Sequence, residues 1–341
     1  MKPTFIISSP FDTYSGYGAR SRDLIKAIIA TDKYNVKLLS QRWGNTPFGF
    51  CKDNPEWGSL LDLITPQPLT QKPDIWAQIT VPNEFHPLGK YNIGFTAGME
   101  TTLVHGSWTE GMNRMDINFV SSEHSKKAFM NSEFEKRDNK NNLIGKVKIE
   151  KPIEVLFEGI DLDVYKPTND IFDLSEVKEQ FAYLFVGHWM QGDIGEDRKN
   201  VGLLIKAFYE TFKNKSKKPA LILKTSTVGA SYMDRDAILR KIRVIQNTVG
   251  SKNLPNIYLL HGEFTNEEMN QIYNHPKVKA MVSLTKGEGF GRPLLEFTAS
   301  KKPLIVSGWS GHMDFIKPDT AVVLGGQLTN VHPSAVVKDM I

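Results

Sequence analysis

Short, β-branched apolar runs alternate with amphipathic stretches from one end of this chain to the other. That alternation restricts the fold more than any other feature. A parallel neighbour strand needs a crossover long enough to hold a helix, so strands that alternate with helical patterns build parallel sheets. In the first half, Phe5–Ser9, Val36–Trp43, Asp74–Val81, Tyr91–Ala97, Ile117–Ser121 and Ile153–Gly159 read as strands. In the second half, Tyr183–His188, Leu221–Thr225, Ile257–His261, Ala280–Leu284, Pro303–Ser307 and Ala321–Leu324 do. Lys199–Phe212 places Val201, Leu204, Ile205, Phe208 and Phe212 on one helical face, and Asp234–Thr248 does the same with Ile238, Ile242 and Ile245.

At 341 residues the chain suits two domains better than one core. The polar, proline-containing stretch Asp161–Asp170 separates the two runs and puts the break near Asp161–Ser175. The expected class is therefore α/β, with two doubly wound, Rossmann-like domains, residues 1–165 and 166–341, facing a central cleft. Ligands of such sheets sit at the carboxyl ends of strands, so motifs that directly follow strands carry the most weight.

Bulk properties exclude several alternatives. A formal charge of +4 is too small to demand nucleic acid or an anionic membrane. Cys51 is the single cysteine, which rules out a disulfide framework and a cysteine-rich metal site. No stretch approaches the roughly 18 apolar residues of a transmembrane segment, and the apolar run after Met1 is too short for a signal peptide. These features point to a cytoplasmic protein, with peripheral membrane contact left open.

Three segments combine the right position with the right chemistry. After the first strand, Ser15-Gly16-Tyr17-Gly18-Ala19-Arg20 runs into a helix whose Leu24, Ile25 and Ile28 face inward. Gly16 and Gly18 would let backbone approach a ligand, and a helix start favours an anion. After the first strand of the second half, Gly187-His188 is followed by Arg198-Lys199-Asn200 at the opening of a helix. Cations there oppose the helix dipole, which a bound anion would explain; taken alone, the segment reads equally as a surface arginine and lysine with no ligand. Lys224 stands near the end of the next strand.

The third segment is Lys286-Gly287-Glu288-Gly289-Phe290-Gly291-Arg292-Pro293-Leu294-Leu295-Glu296, in which two carboxylates eight positions apart bracket a glycine-rich turn. Pro293 fits the first turn of a helix. Glycine N–H groups suit a diphosphate, and a carboxylate accepts from the paired hydroxyls of a ribose or hexose.

Glu288 through Glu296 resembles the Glu-x7-Glu motif of family-4 (group 1) retaining glycosyltransferases of the GT-B fold. Ser300 through His312 is similar to the stretch that follows it in those enzymes. Arg198-Lys199-Asn200 resembles their diphosphate-binding basic motif, Asn118 through Ser125 a strand-and-serine segment of their N-terminal domain, and Glu158-Gly159-Ile160-Asp161 with Tyr165-Lys166-Pro167 their interdomain signature.

The resemblance implies a retaining, metal-independent glycosyltransferase. It would use a nucleotide diphosphate sugar of the UDP or GDP type as co-substrate and no other cofactor. Glu296 would hold the ribose, Glu288 would contact the transferred sugar, and Lys199 would bind the diphosphate. Backbone N–H groups of Phe290, Gly291 and the segment from Gly16 to Gly18 would help, and Gly289 completes the turn. The family often carries an arginine where this chain has His188, so Arg198 or Lys224 would supply the second cation. Relatives place a histidine after a first-domain strand; here that stretch, Asn92 through Glu100, offers Glu100 and Thr96, with His86 and His105 in nearby loops. Asp161-Leu162-Asp163 has the form of a metal-binding Asp-x-Asp but falls in the hinge, which argues against a metal.

The acceptor implied is a glycan or lipid-linked glycan hydroxyl. A hydroxymethylated base in DNA is the alternative acceptor, for which Arg20, Arg22 and Lys26 would supply charge. A sugar-nucleotide epimerase and a non-catalytic sugar-nucleotide-binding protein are the alternatives with no acceptor. Such enzymes usually end in helices that cross back onto the first domain. Here Ile341 follows soon after Ala321–Leu324, which is expected of a compact or a truncated form.

Overall fold

The computed structural model describes residues 2–336, apart from 191, 193, 228, 334 and 335. Ile341 lies outside the described residues. The chain forms two compact units that divide between Gly159 and Ile160. The expected division after Tyr165 falls slightly late, because Tyr165 is a core residue of the second unit and Ile160 and Val164 pack against that core.

The first unit contains β1 (Thr4–Ser9), α1 (Gly16–Ala30), β2 (Asn35–Ser40), a short α2 (Phe50–Asp53), β3 (Ile75–Ile79), β4 (Tyr91–Thr96), α3 (Gly106–Asn113), β5 (Ile117–Val120), α4 (Glu123–Met130), β6 (Phe134–Arg137), β7 (Leu143–Val147) and β8 (Ile153–Val155). Its main sheet has the order β2-β1-β3-β4-β5-β8, and every pair in it is parallel. The chain first moves from β1 to β2 and then reverses to β3 on the other side of β1. That reversal is the topological switch point at which such sheets bind ligands.

The second unit contains β9 (Ala182–Val186), α5 (Val201–Phe212), β10 (Ala220–Lys224), α6 (Tyr232–Thr248), β11 (Ile257–Leu260), α7 (Asn266–Asn274), β12 (Val278–Ser283), α8 (Arg292–Thr298), β13 (Leu304–Ser307) and β14 (Ala321–Leu324). Its all-parallel order, β11-β10-β9-β12-β13-β14, is the Rossmann order, with the switch point between β9 and β12. Each sheet is buried on both faces, which explains the near-continuous apolar runs. Ala182 and Leu184 of β9 face one core with Ile222, Tyr273 and Phe297. Phe185 of the same strand faces the other, with Val201, Ile205, Ile238 and Ile245.

Every strand expected from the sequence is present, with ends shifted by a few residues. The antiparallel hairpin β6–β7 was not foreseen. It is mostly exposed and polar, so it lacks the apolar signature of the central strands. Among the described residues no helix is long and apolar enough to cross a membrane.

Two of the cations on which a DNA acceptor would draw are internal. Arg20 on α1 hydrogen-bonds Ser121 after β5, donates to the Leu156 carbonyl at 3.0 Å and pairs with Glu158 at 3.3 Å. Ser121 also donates to Glu158 at 3.2 Å. Arg22 donates to the carbonyls of Phe11 (2.7 Å) and Thr13 (3.0 Å) and lies 3.4 Å over the Phe50 ring. Both side chains are buried, so neither is presented to a DNA backbone. Arg20 instead ties α1 to the ends of β5 and β8. Arg20→Ala leaves the Glu158 carboxylate buried beside a lost partner, and is expected to destabilise the protein by about 3–5 kcal/mol in denaturant melts. A loss below about 1 kcal/mol would show that the cluster is not structural.

Candidate functional site

The second sheet's switch point is held together by its own loops. The loop after β9 and the loop after β12 meet through paired hydrogen bonds. Lys286 N–H donates to the Arg198 carbonyl (2.9 Å), the Arg198 guanidinium donates to the Gly287 carbonyl (3.0 Å), and the Asn200 amide donates to the Leu284 carbonyl (2.9 Å). Within this frame the Lys199 ammonium hydrogen-bonds Glu288 Oε1, and Arg198 lies 3.7 Å from Oε2. Both members of the Lys199–Glu288 pair are largely buried.

Lys199 does not stand inside the helix start. The helix begins at Val201 after Asn200, which adopts a left-handed backbone (φ 52°), and Asp197 accepts from the Val201 N–H at 3.0 Å. Asp197 is fully buried and supplies the acidic cap that the sequence reading lacked; its burial raises its pKa. Lys199 precedes the helix by two positions and turns toward Glu288.

Burial pushes the Glu288 carboxyl up, but Lys199 and Arg198 outweigh it and hold its pKa below the ordinary carboxylate range. The turn around it is fixed from behind. Glu288 N–H donates to Ser310 Oγ (2.7 Å), and Gly311 N–H donates to the Glu288 carbonyl (2.9 Å). A Cβ on Gly311 would sit 2.0 Å from the Gly289 carbonyl oxygen, so only glycine fits there. Gly291 has φ 92° and caps α8, with Pro293 in the first turn. The Phe290 ring packs against Phe315 at 5.1 Å.

Glu296, on α8, is in a different state. It accepts from the Tyr273 hydroxyl at 3.0 Å and from Arg292 Nε at 3.1 Å. Burial is the largest influence on it and raises its pKa above the usual carboxylate value, although Arg292 and Tyr273 work the other way. Tyr273 was not foreseen. Its position beside Ile272 in α7 reads as core, and only the fold brings its hydroxyl to Glu296.

His188 and Lys224 lie at the carboxyl ends of β9 and β10. Burial, with Lys224, Lys199 and Arg198 nearby, holds the His188 pKa below its ordinary value, so the ring is neutral at pH 7. Its Nδ1 is 3.2 Å from Ser226 Oγ. The Lys224 pKa is lowered by burial; its ammonium donates to the Gly262 carbonyl (3.0 Å) and lies 5.0 Å from the Phe264 ring centre. The structure thus brings together Glu288, Lys199, Arg198, Lys224 and His188, with Gly289, Phe290 and Gly291 in the adjoining turn.

The remaining candidates belong to the first unit. Gly16 opens α1 and is exposed, with open space where a Cβ would be. Gly18 has another role. Its N–H is taken by the Ser15 cap at 2.9 Å, and a Cβ there would meet the Thr13 carbonyl oxygen at 2.3 Å. Gly18 therefore serves packing, and its N–H is not offered to a diphosphate. Glu100 follows β4 and is half-buried, and its carbonyl lies 3.2 Å from His124 Nε2. Nearby, the Tyr17 hydroxyl is 3.0 Å from Thr96 Oγ1 and accepts from the Ala97 N–H at 2.9 Å, while its ring stacks on Trp43. Asp161 and Asp163 form a local turn, with Asp163 N–H donating to Asp161 Oδ1 at 2.9 Å.

The two carboxylates of one motif should respond oppositely to loss of charge. The depressed pKa of Glu288 contributes stability that is present above about pH 4.3 and lost as pH falls through its folded value. The raised pKa of Glu296 contributes stability present only below its unfolded value and lost as pH rises through the folded one. At pH 7, Glu288→Gln should therefore destabilise the free protein by about 2–3 kcal/mol, since it removes the buried carboxylate that Lys199 and Arg198 pair with. Glu296→Gln should leave the melting temperature unchanged or higher. Thermal melts of the two variants check the sign, and a large loss from Glu296→Gln would contradict it.

No protein-family model matches the sequence, and no curated protein sequence matches it. Solved structures do resemble it. Anabaena Alr3699/HepE in complex with UDP-glucose superposes with a TM-score of 0.59 at 13% identity, covering 92% of this chain and 83% of that one. Trehalose-6-phosphate synthase OtsA gives 0.58 at 15% identity, over 94% and 88%. Sucrose-phosphate synthase from Thermosynechococcus elongatus gives 0.60 at 13% identity, over 97% and 88%. At these identities the likeness is one of fold, and the chain has the GT-B fold of two Rossmann-like domains.

Proposed function

We propose that this chain is a retaining, metal-independent glycosyltransferase. It moves a sugar from a nucleotide diphosphate sugar of the UDP or GDP type to an acceptor hydroxyl. The observation that carries the reading is the pairing of Lys199 and Arg198 with Glu288, with Lys224 beside a neutral His188, at the switch point of the second sheet. A diphosphate is the ligand that three cations at the carboxyl ends of parallel strands are suited to hold. Glu296 takes the ribose hydroxyls, Glu288 the transferred sugar, and the turn Gly289-Phe290-Gly291 the phosphate oxygens. The fold likeness adds support. HepE is solved with UDP-glucose, and trehalose-6-phosphate synthase has been studied for enzymatic glycosyltransfer with retention.

In the reaction, the bond between the anomeric carbon and the diphosphate oxygen breaks, and both electrons leave with the diphosphate. Lys199 and the second cation, Arg198 or Lys224, stabilise the charge that grows there. The acceptor oxygen forms its bond to the anomeric carbon on the face the diphosphate leaves, which retains configuration, and the acceptor proton passes to the departing diphosphate. Glu100 is the first-domain carboxylate we assign to this step. The acceptor is a glycan or lipid-linked glycan hydroxyl. Burial of Arg20 and Arg22 removes most of the charge on which a DNA acceptor would draw. A single, buried cysteine suits a cytoplasmic setting.

The test is mass spectrometry of the full chain with UDP- and GDP-sugars, with and without glycan acceptors. Transfer to a glycan is expected. Conversion of the donor into a second nucleotide sugar without acceptor would mark an epimerase instead. Glu296→Ala is expected to raise the donor KM about tenfold or more. Lys199→Ala should lower kcat about 10²–10³-fold without changing the order of preferred sugars. Full activity in both variants would refute the site.

A further inference from the structure

We propose, resting on the donor reading above, that Asp234 and His261 are positioning residues that set Lys224 as the second cation of the diphosphate site. Asp234 is the third residue of α6, and Ser231 caps that helix by accepting from the Asp234 N–H at 3.2 Å. An acidic residue at that position ordinarily completes a capping box by accepting from the cap residue's own N–H. Thr265 and Glu268 do so at the start of α7 in the same domain. The Asp234 carboxylate instead turns out of its helix. It accepts from the Thr227 hydroxyl and from the Thr227 N–H at 3.1 Å, in the loop after β10, and it lies 2.7 Å from His261 Nε2, in the loop after β11.

The Asp234 and His261 side chains are both buried. Burial pushes the Asp234 pKa up, but the bonds from Thr227 and His261 outweigh it and hold the group below the ordinary carboxylate value. Asp234 is therefore ionised at pH 7, and an ionised carboxylate only accepts, so His261 Nε2 carries the proton. Its bonds are of the stronger, charge-assisted kind.

One ionised group thereby ties together the two loops that flank Lys224. Lys224 ends β10, and its ammonium donates to the carbonyl of Gly262, the residue after His261, at 3.0 Å. Gly262 has φ 129°, in the region that favours glycine, so the direction of its carbonyl depends on the turn that His261 anchors. In the other loop, Ser226 precedes Thr227, and its Oγ lies 3.2 Å from Nδ1 of the neutral His188. Arg198 is committed elsewhere, to the Gly287 carbonyl and Glu288. The Gly262 carbonyl takes one of the three donors of the Lys224 ammonium. Burial lowers the Lys224 pKa, a penalty on its charge that an anion beside it would offset.

Isothermal titration calorimetry of the full chain with inorganic pyrophosphate tests the proposal as a double-mutant cycle. Lys224→Ala and Asp234→Ala are each expected to weaken binding about tenfold, and the double variant also about tenfold, because Asp234 acts through Lys224. By charge alone, loss of a carboxylate near an anion would tighten binding, so weaker binding reports position. His261→Ala should match Asp234→Ala, while His261→Gln, which keeps a donor for Asp234, should bind within about threefold of the unsubstituted chain. Thermal melts verify folding, and His261→Ala replaces Asp234→Ala in the cycle should the latter fail to fold. Unchanged or tighter binding by the folded variants, or an additive loss of about a hundredfold in the double variant, would overturn the proposal. Sugar transfer separates this proposal from the reading it rests on. Full kcat in Lys224→Ala and Asp234→Ala refutes the positioning and leaves the donor site. Coupled losses of pyrophosphate binding in a chain that transfers no sugar refute the transferase and leave the positioning. An unsubstituted chain that does not bind pyrophosphate overturns both.

Discussion

The ion pair between Lys199 and Glu288 is the contact on which the second domain's site depends. It joins the loops that leave β9 and β12, the two strands between which the order of the sheet reverses. Those loops have no sheet of their own to hold them. At about 4 Å and an effective dielectric of about 20, opposite charges attract by about 4 kcal/mol. Burying two ions costs several kcal/mol each, so the pair alone would not hold the loops. The balance is met by what surrounds it: Arg198 as a second counter-charge, the Lys286 and Gly311 N–H groups, which donate to the carbonyls of Arg198 and Glu288, and the Ser310 hydroxyl, which accepts from the Glu288 N–H. Gly311 is required by the same construction, because any side chain there would strike the carbonyl of Gly289.

The fold was legible in the sequence because its strands are buried on both faces. A strand such as Leu221–Thr225 then reads as an unbroken apolar run, and the alternation with helices follows. The hairpin Phe134–Arg137 and Leu143–Val147 was not legible for the opposite reason: its residues are mostly exposed and polar, and nothing but pairing makes them strands. Arg20 and Arg22 show the limit of reading charge from composition. Both lie on the helix that follows a glycine turn, yet both are buried, Arg20 against acceptors distant in sequence and Arg22 against carbonyls of the preceding turn.

The site was legible residue by residue but not as an assembly. Arg198, Lys199 and Glu288 could each be named from position after a strand. Their contact spans 89 positions, and no local pattern encodes it. The reading of Lys199 as a helix-start cation also missed the turn at Asn200, because a left-handed asparagine is not distinguishable in sequence from an ordinary cap. Around Glu296 the split is sharper. Arg292 is four positions earlier on the same helix and readable as a neighbour. Tyr273 comes from another element and lies among core residues.

Glu288 and Glu296 are one motif in sequence and two chemistries in space. Glu288 already has its cations, so under the proposed function a diphosphate would have to compete with a carboxylate for the Lys199 ammonium. Glu296 has mostly neutral neighbours, and burial disfavours its charge. Ribose hydroxyls would donate to that carboxylate and favour the ionised form, so nucleotide binding and loss of a proton from Glu296 are thermodynamically linked. Under that reading Tyr273, Arg292 and Tyr165 have a positioning role: they bond the carboxylate and hold it in place. A motif with both carboxylates in one environment would do one of these jobs twice; under the proposed function, the separation of their surroundings would let eight positions of chain serve a sugar at one end and a nucleotide at the other.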